Sequence, residues 1–173
     1  MPKKYQPFKF ETRALQSTKN IINEVHAISP PIYLSSTFIR TKEGKYQDGY
    51  KYSRNDNPNR KTLEKSISKL ENGTTGFAFG SGMSAISAVF QSLKTGDHVI
   101  LPDDVYFNLK LLLKEVFNRW GLSFSFVNMS NIEAISRSLN QQTRLIWIES
   151  PSNPQLKISD IRGICKLAHA HQI

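Results

Sequence analysis

Four separated groups of side chains in this sequence could serve one ligand. Gly80-Ser81-Gly82-Met83-Ser84-Ala85 sets a glycine turn between an apolar run, Thr75 to Phe79, and a helical pattern. In that pattern Ala85, Ile86, Val89, Phe90 and Leu93 recur every three or four residues. A helix starting at such a turn presents unpaired N–H groups at the positive end of its dipole, and glycine lets an anion approach the backbone. Residues 80–83 therefore read as a phosphate cradle. Tyr52-Ser53-Arg54 offers a phenol and a guanidinium that can both bind phosphate, arginine with two parallel hydrogen bonds. Tyr106 is an aromatic placed to stack on a planar ring. Glu149-Ser150-Pro151-Ser152-Asn153-Pro154 is a proline-bracketed polar loop whose Asn153 can donate to a hydroxyl or carboxylate. Taken singly, Tyr52 to Arg54 reads equally as an exposed loop, and Asn153 as a turn asparagine. Taken together, they fit a flat, phosphorylated aromatic cofactor.

These groups must be held by the elements around them. Asn57-Pro58 is an N-cap with proline at the first helical position; Leu63, Ile67 and Leu70 stripe the helix and Gly73 ends it. Strand and helix then alternate. Thr75 to Phe79 is a strand, and the helix after it runs to about Lys94, closed by Gly96. His98 to Leu101 is a strand; Tyr106 to Trp120 is a helix carrying Leu109, Leu112, Leu113, Val116 and Phe117; Leu122 to Val127 is a strand. Ser130 and Glu133 form a capping box for a helix with Ile132, Ile135 and Leu139. Arg144 to Glu149 is the fourth strand, and Ser159 caps a last helix bearing Ile161, Ile164, Cys165 and Ala168. Four β-α units in series predict an α/β fold, a mostly parallel sheet with helices on both faces. Ligands of such sheets bind beyond the C-terminal strand ends, here residues 80–83, 102–106 and 149–154. Residues 1–57 lack periodicity. Ile28-Ser29-Pro30-Pro31-Ile32-Tyr33 should be extended and Asp48-Gly49 a turn, so this stretch is expected as an arm laid over another surface, such as a second subunit. Residues 58–173 are the expected first part of the α/β domain.

The chain has 173 residues, 39% of them hydrophobic, enough for one globular domain with a sizeable core. No apolar run approaches the roughly 20 residues of a membrane span, and no apolar segment follows Met1-Pro2-Lys3-Lys4 to suggest a signal peptide. A single cysteine, Cys165, suits a reducing compartment, and the cytoplasm is the expected location. The net charge is +9. The basic residues are spread out with no compact Lys/Arg run and belong to no nucleic-acid motif, so attraction of an anionic cofactor or substrate explains them better than nucleic acid does.

Rival chemistries explain less. Residues 80–85 also match the G-x-G-x-x-A turn of dinucleotide-binding folds, with Asp103 near the end of the next strand as a ribose-binding acid. That reading begins late in the chain and leaves the other three groups unused. Ser66-Ile67-Ser68-Lys69 and Lys94-Thr95-Gly96 imitate two β-lactamase motifs, but no Ser-Asp-Asn accompanies them. His26, His98, His169 and His171 have no metal-like spacing, so no metal is expected. Cys165 lies on an apolar helical stripe and reads as core rather than nucleophile.

The chain resembles the trans-sulfuration family of pyridoxal-phosphate enzymes, which includes cystathionine γ-synthase, cystathionine γ- and β-lyases and methionine γ-lyase. The resemblance begins at about Glu11-Thr12-Arg13. It includes Pro30 to Phe38, Tyr52-Ser53-Arg54, Ser81-Gly82-Met83-Ser84-Ala85, Asp103-Asp104-Val105-Tyr106 and Glu149 to Pro154. It implies the fold-type-I large domain of the aspartate aminotransferase kind. It also implies a cofactor phosphate at Ser81 and the N–H groups of Gly82 and Met83, with Tyr106 stacked on the pyridine ring and assisting proton transfer or leaving-group departure. Asn153 would lie near the ring's 3-oxygen and the substrate carboxylate. Tyr52 and Arg54 would reach the phosphate of a neighbouring subunit's cofactor, in a homodimer or homotetramer. The substrate would be a small sulfur amino acid undergoing β- or γ-elimination or γ-replacement.

Some family features are not in these 173 residues. The aspartate strand that pairs with the pyridine nitrogen and the Ser-x-Thr-Lys of the Schiff-base lysine are missing; Ser17-Thr18-Lys19 has the wrong spacing. The sequence is therefore expected to be the N-terminal part of a longer enzyme, with little activity alone; a non-catalytic relative of the same fold is the alternative. Asn59 stands where the family has threonine, and Phe107 and Asn108 where it has small residues.

Overall fold

The computed structural model describes residues 8–16 and 29–173. The chain forms two compact units, Met1–Phe79 and Gly80–Ile173. Ile28, His26 and Ser17-Thr18-Lys19 lie outside the described residues.

In the first unit, α1 (Phe10–Gln16) packs on α2 (Pro58–Leu70), and Arg13 donates to Asn72 Oδ1 at 2.6 Å. Asn57 caps α2 by accepting from the Asn59 N–H at 2.9 Å, with Pro58 in the first turn as expected. The Asn59 amide also grips the arm: it accepts from Tyr33 N at 2.8 Å and donates to Pro31 O at 2.7 Å. The turn at Asp48-Gly49 forms, with Gly49 at φ 80° and its N–H on Tyr46 O at 3.1 Å.

Two expectations here need correction. Leu63 and Ile67 are half exposed, and the buried residues of α2 are Pro58, Thr62 and Ser66 along one side with Glu64 on the other. Thr62 and Ser66 can be buried because their hydroxyls donate to the carbonyls one turn back, Pro58 O and Thr62 O, both at 2.8 Å. Residues 75–79 form no strand; Phe77 and Phe79 are exposed. Their local partner is α2, where Glu64 Oε1 accepts the Ala78 N–H at 3.1 Å. The segment passes so close that a Cβ on Gly76 would lie 2.5 Å from the Glu64 carbonyl oxygen.

The second unit is the parallel α/β layer structure. Strands β1 (His98–Pro102), β2 (Ser123–Val127) and β3 (Thr143–Ile146) form a parallel sheet in the order β2-β1-β3. β1 pairs with β2 in continuous register from His98↔Ser123 to Pro102↔Val127, and with β3 across an irregularity between His98 and Val99. Because β1 is central, its side chains feed both faces. Val99 and Leu101 pack with Phe90, Leu109, Leu113, Phe117 and Leu122, while Ile100 packs with Met129, Ile135 and Ile164. The first face is covered by α3 (Gly82–Gln91) and α4 (Phe107–Leu112), the second by α5 (Ile132–Ser138) and α6 (Ile161–Ala170).

The helix expected over residues 106–120 is a composite: α4 runs into a π-helical turn, Leu113–Phe117, with Asn118 N on Leu113 O at 2.8 Å. Leu109, Leu113 and Phe117 are spaced by four. Four residues overshoot an α turn and fall short of a π turn, so the mixture keeps all three aimed at the core. Two helix starts fall one residue later than expected. Asn131 caps α5 by accepting from Glu133 N and Ala134 N, while the Ser130 hydroxyl donates to Ile158 O. Asp160 caps α6 by accepting from Gly163 N, while the Ser159 N–H goes to Ser150 Oγ. In both, the cap is the Asn or Asp and the serine before it bonds to the 150–158 segment instead. Cys165 is exposed rather than core: α6 buries Ile164, whereas Ile161 and Cys165 share an outer strip one turn apart.

Candidate functional site

The start of α3 is shaped as an open cradle. Ser81 Oγ accepts from Ser84 N at 3.1 Å and Ser81 O from Ala85 N at 3.1 Å. The N–H groups of Gly82 and Met83, in the first turn, have no intrahelical acceptor. Ser81 and Gly82 are exposed, and a Cβ built on Gly80 or Gly82 would meet nothing within 4 Å. The backbone there is accessible to an anion, and the α3 dipole favours one.

The sheet brings the other two strand ends of this unit together. Since β1 and β3 are parallel, their C-terminal ends share one edge, and Trp147 N continues the ladder onto Ile100 O at 2.8 Å. Tyr106 is half-buried at the N-cap of α4. Its N–H donates to Glu149 Oε2 at 3.1 Å, and Asn108 Nδ2 donates to its phenol oxygen at 2.9 Å. The Glu149 Oε1 accepts from the Trp147 indole N–H at 3.1 Å.

The loop of residues 150–157, with cis peptide bonds before Pro151 and Pro154, is stitched to the turn after β1. Buried Ser152 donates to Asp104 Oδ2 at 2.5 Å and accepts from Lys157 N at 3.0 Å. Lys157 Nζ lies 3.0 Å from Asp103 Oδ1 and 3.8 Å from Asp104 Oδ2, and its hydrogen bond to Asp103 raises its pKa above the ordinary lysine value. Asp103 thus pairs with Lys157 of the loop that follows β3. Asn153 is exposed and lines a cleft of about 390 Å³ together with Asp103, Asp104, Phe107 and Lys157. Tyr106 is not among the residues lining that cleft.

In the first unit, Tyr52 and Arg54 form a pair. Tyr52 bridges Thr37 in an antiparallel contact and accepts at its carbonyl from Asn55 N and Asp56 N at 2.9 and 3.1 Å. The exposed Arg54 guanidinium lies 5.1 Å from the Tyr52 ring centroid. Phenol and guanidinium are presented side by side.

Sequence reading missed Glu149, Ser152 and Lys157 as individuals. The strand expected over Arg144 to Glu149 pairs only as β3, to Ile146; the signal for Glu149 was an acid closing that apolar run two residues after a tryptophan whose indole N–H needs an acceptor. Asn108 stood out only as a bulky replacement, yet it is the partner of the Tyr106 phenol.

A parallel sheet with an open helix-start cradle, an aromatic at the end of β1 and a polar loop after β3 defines part of an α/β domain for a phosphorylated cofactor. Residues 11–173 match the model of the Cys/Met metabolism PLP-dependent enzymes. The chain belongs to that family. It is 44% identical over 145 residues to a cystathionine beta-lyase of Staphylococcus haemolyticus, covering 84% of this chain and 37% of the relative. It is 40% identical over 148 residues to a cystathionine gamma-synthase of Mycobacterium leprae, covering 85% and 38%. The crystal structure of cystathionine gamma-lyase from Lactobacillus plantarum complexed with L-serine superposes with a TM-score of 0.89 at 40% identity, over 96% of this chain and 43% of that one. The chain thus spans well under half the length of these relatives. The family's cofactor is pyridoxal phosphate, and the open backbone at the start of α3 is of a kind that can take its phosphate.

Proposed function

We propose that this chain supplies the phosphate cradle and ring platform of a pyridoxal-phosphate enzyme acting on small sulfur amino acids by β- or γ-elimination or γ-replacement. The observation that carries this reading is the open start of α3, where Ser81 caps Ser84 and leaves the Gly82 and Met83 N–H groups for an anion. When bound, the cofactor supplies an electron sink for charge developing at the amino acid's α-carbon. This chain's residues bind and orient. Gly82 and Met83 hold the phosphate through backbone N–H groups, with Ser81 fixing the turn. Tyr106 covers the ring face and is placed to hold or pass a proton at its phenol oxygen. Asn153 donates to the ring's 3-oxygen and the substrate carboxylate. Tyr52 and Arg54 reach the phosphate held by a second copy, which makes a homodimer or homotetramer the working assembly. Residues 1–57 are then the arm that makes this contact, and 58–173 the first part of the cofactor domain.

Titration with 4′-deoxypyridoxine phosphate, which keeps ring and phosphate but has no aldehyde to react with surface lysines, tests the platform. Tyr106→Ala is expected to weaken binding by roughly three- to tenfold and Tyr106→Phe to leave it nearly unchanged, the size of one aromatic stack. Equal affinity for all three chains would remove Tyr106 from the site.

A further inference from the structure

Glu149 has both carboxylate oxygens committed, one to the Tyr106 backbone N–H and one to the Trp147 indole N–H, each at 3.1 Å. Tyr106 sits at the N-cap of α4 but makes no side-chain capping bond to that helix. The Tyr106 amide is therefore anchored from β3's end of the sheet. Trp147 in turn packs against Phe90 of α3, ring centroids 5.7 Å apart, and Phe90 is fully buried. One carboxylate thus joins the residue after β3, the helix whose first turn forms the cradle, and the aromatic after β1. The chemistry requires an acid: two N–H donors converge, and an amide in the same place would turn its own NH₂ toward one of them.

We propose that Glu149 is a positioning residue for Tyr106, fixing the backbone from which its ring is presented to a pyridine ring whose phosphate rests on α3; the role toward the ring rests on the cofactor reading above. Asn108 holds the far end of the same side chain at the phenol oxygen. With each Glu149 oxygen already accepting an N–H, its effect on binding is expected to pass through Tyr106.

The experiment uses the full chain, Glu149→Gln, Tyr106→Ala and the double variant, with two readouts. The first is amide hydrogen exchange, which needs no ligand. Glu149→Gln is expected to speed exchange at the Tyr106 amide by at least about tenfold, as loss of a charge-assisted hydrogen bond would, while the Leu101 and Ile135 amides stay protected. The second is the affinity for 4′-deoxypyridoxine phosphate. Glu149→Gln is expected to weaken it severalfold when Tyr106 is present and to add nothing in the Tyr106→Ala background. An unmoved Tyr106 amide, or the same loss of affinity in both backgrounds, would overturn the proposal. If the unmodified chain fails to bind the probe, the cofactor reading falls and the role toward the ring falls with it. The exchange experiment still decides whether Glu149 holds Tyr106.

Discussion

His98 is buried at the start of β1, and its two ring nitrogens lie 2.9 Å from Thr143 Oγ1 on β3 and 2.9 Å from Ser125 Oγ on β2. Burial pushes its pKa below the ordinary value of 6.5. In the unfolded chain the imidazole takes up a proton near that value; in the folded chain it does so only at lower pH. Between those two pH values the unfolded state binds more protons, so stability falls as pH drops below about 6.5 and is fully regained above it. Urea denaturation at a series of pH values is expected to show this slope, and His98→Asn should remove its share of it. An unchanged slope in the variant would place the acid sensitivity elsewhere. Ser81→Ala tests the cradle's cap: loss of about 1 kcal/mol of stability is expected, the cost of an N-cap, measured by the same denaturation. At this scale, a role set by local chain chemistry was legible at Asn57 before Pro58, whereas the cap that Ser81 makes to Ser84 was not read. Glu149 and Lys157 were not, because their partners lie 43 and 54 residues away.

Elements were legible where apolar periodicity and tertiary burial agree. β1, β2 and the helices after them follow the sequence pattern, since the apolar positions of a parallel sheet and its covering helices leave few other arrangements. α2 misleads because polar residues are buried on it while Leu63 and Ile67 are not, Thr62 and Ser66 being satisfied by their own backbone and Glu64 bonding the Ala78 N–H. Residues 75–79 have a strand-like composition, but pairing depends on a neighbour, and no described residue supplies a ladder for them. Their path is set instead by Gly76 against Glu64. Gly76→Ala is expected to destabilise the first unit by about 1–3 kcal/mol, the range for overpacking a tight contact. Limited proteolysis around residue 76 would report it; unchanged cleavage and unfolding would mean the close approach relaxes at no cost.

For the whole molecule, the excess of positive charge bears on the proposed binding of an anionic cofactor. A net charge of +9 favours the approach of an anionic cofactor or amino-acid carboxylate. No helix among the described residues is long and apolar enough to cross a membrane. The parallel sheet with helices on both faces, the family and its cofactor were legible because several short motifs occur in order along 163 matched residues, 11–173. What periodicity alone could not supply was the stitching of Asp103, Asp104, Ser152 and Lys157 that sets the Asn153 loop, since that network joins side chains from two strand ends. In the proposed reading, the start of α3 binds the phosphate of a pyridoxine-type ring. The most direct measurement compares binding of 4′-deoxypyridoxine phosphate with that of 4-deoxypyridoxine, the same ring without phosphate, each by equilibrium dialysis against this chain. Binding of the phosphorylated compound at least about tenfold tighter, as expected for charge-assisted hydrogen bonds to free N–H groups, and displaced by inorganic phosphate, is the predicted result. Equal affinities, or no competition by phosphate, would contradict it.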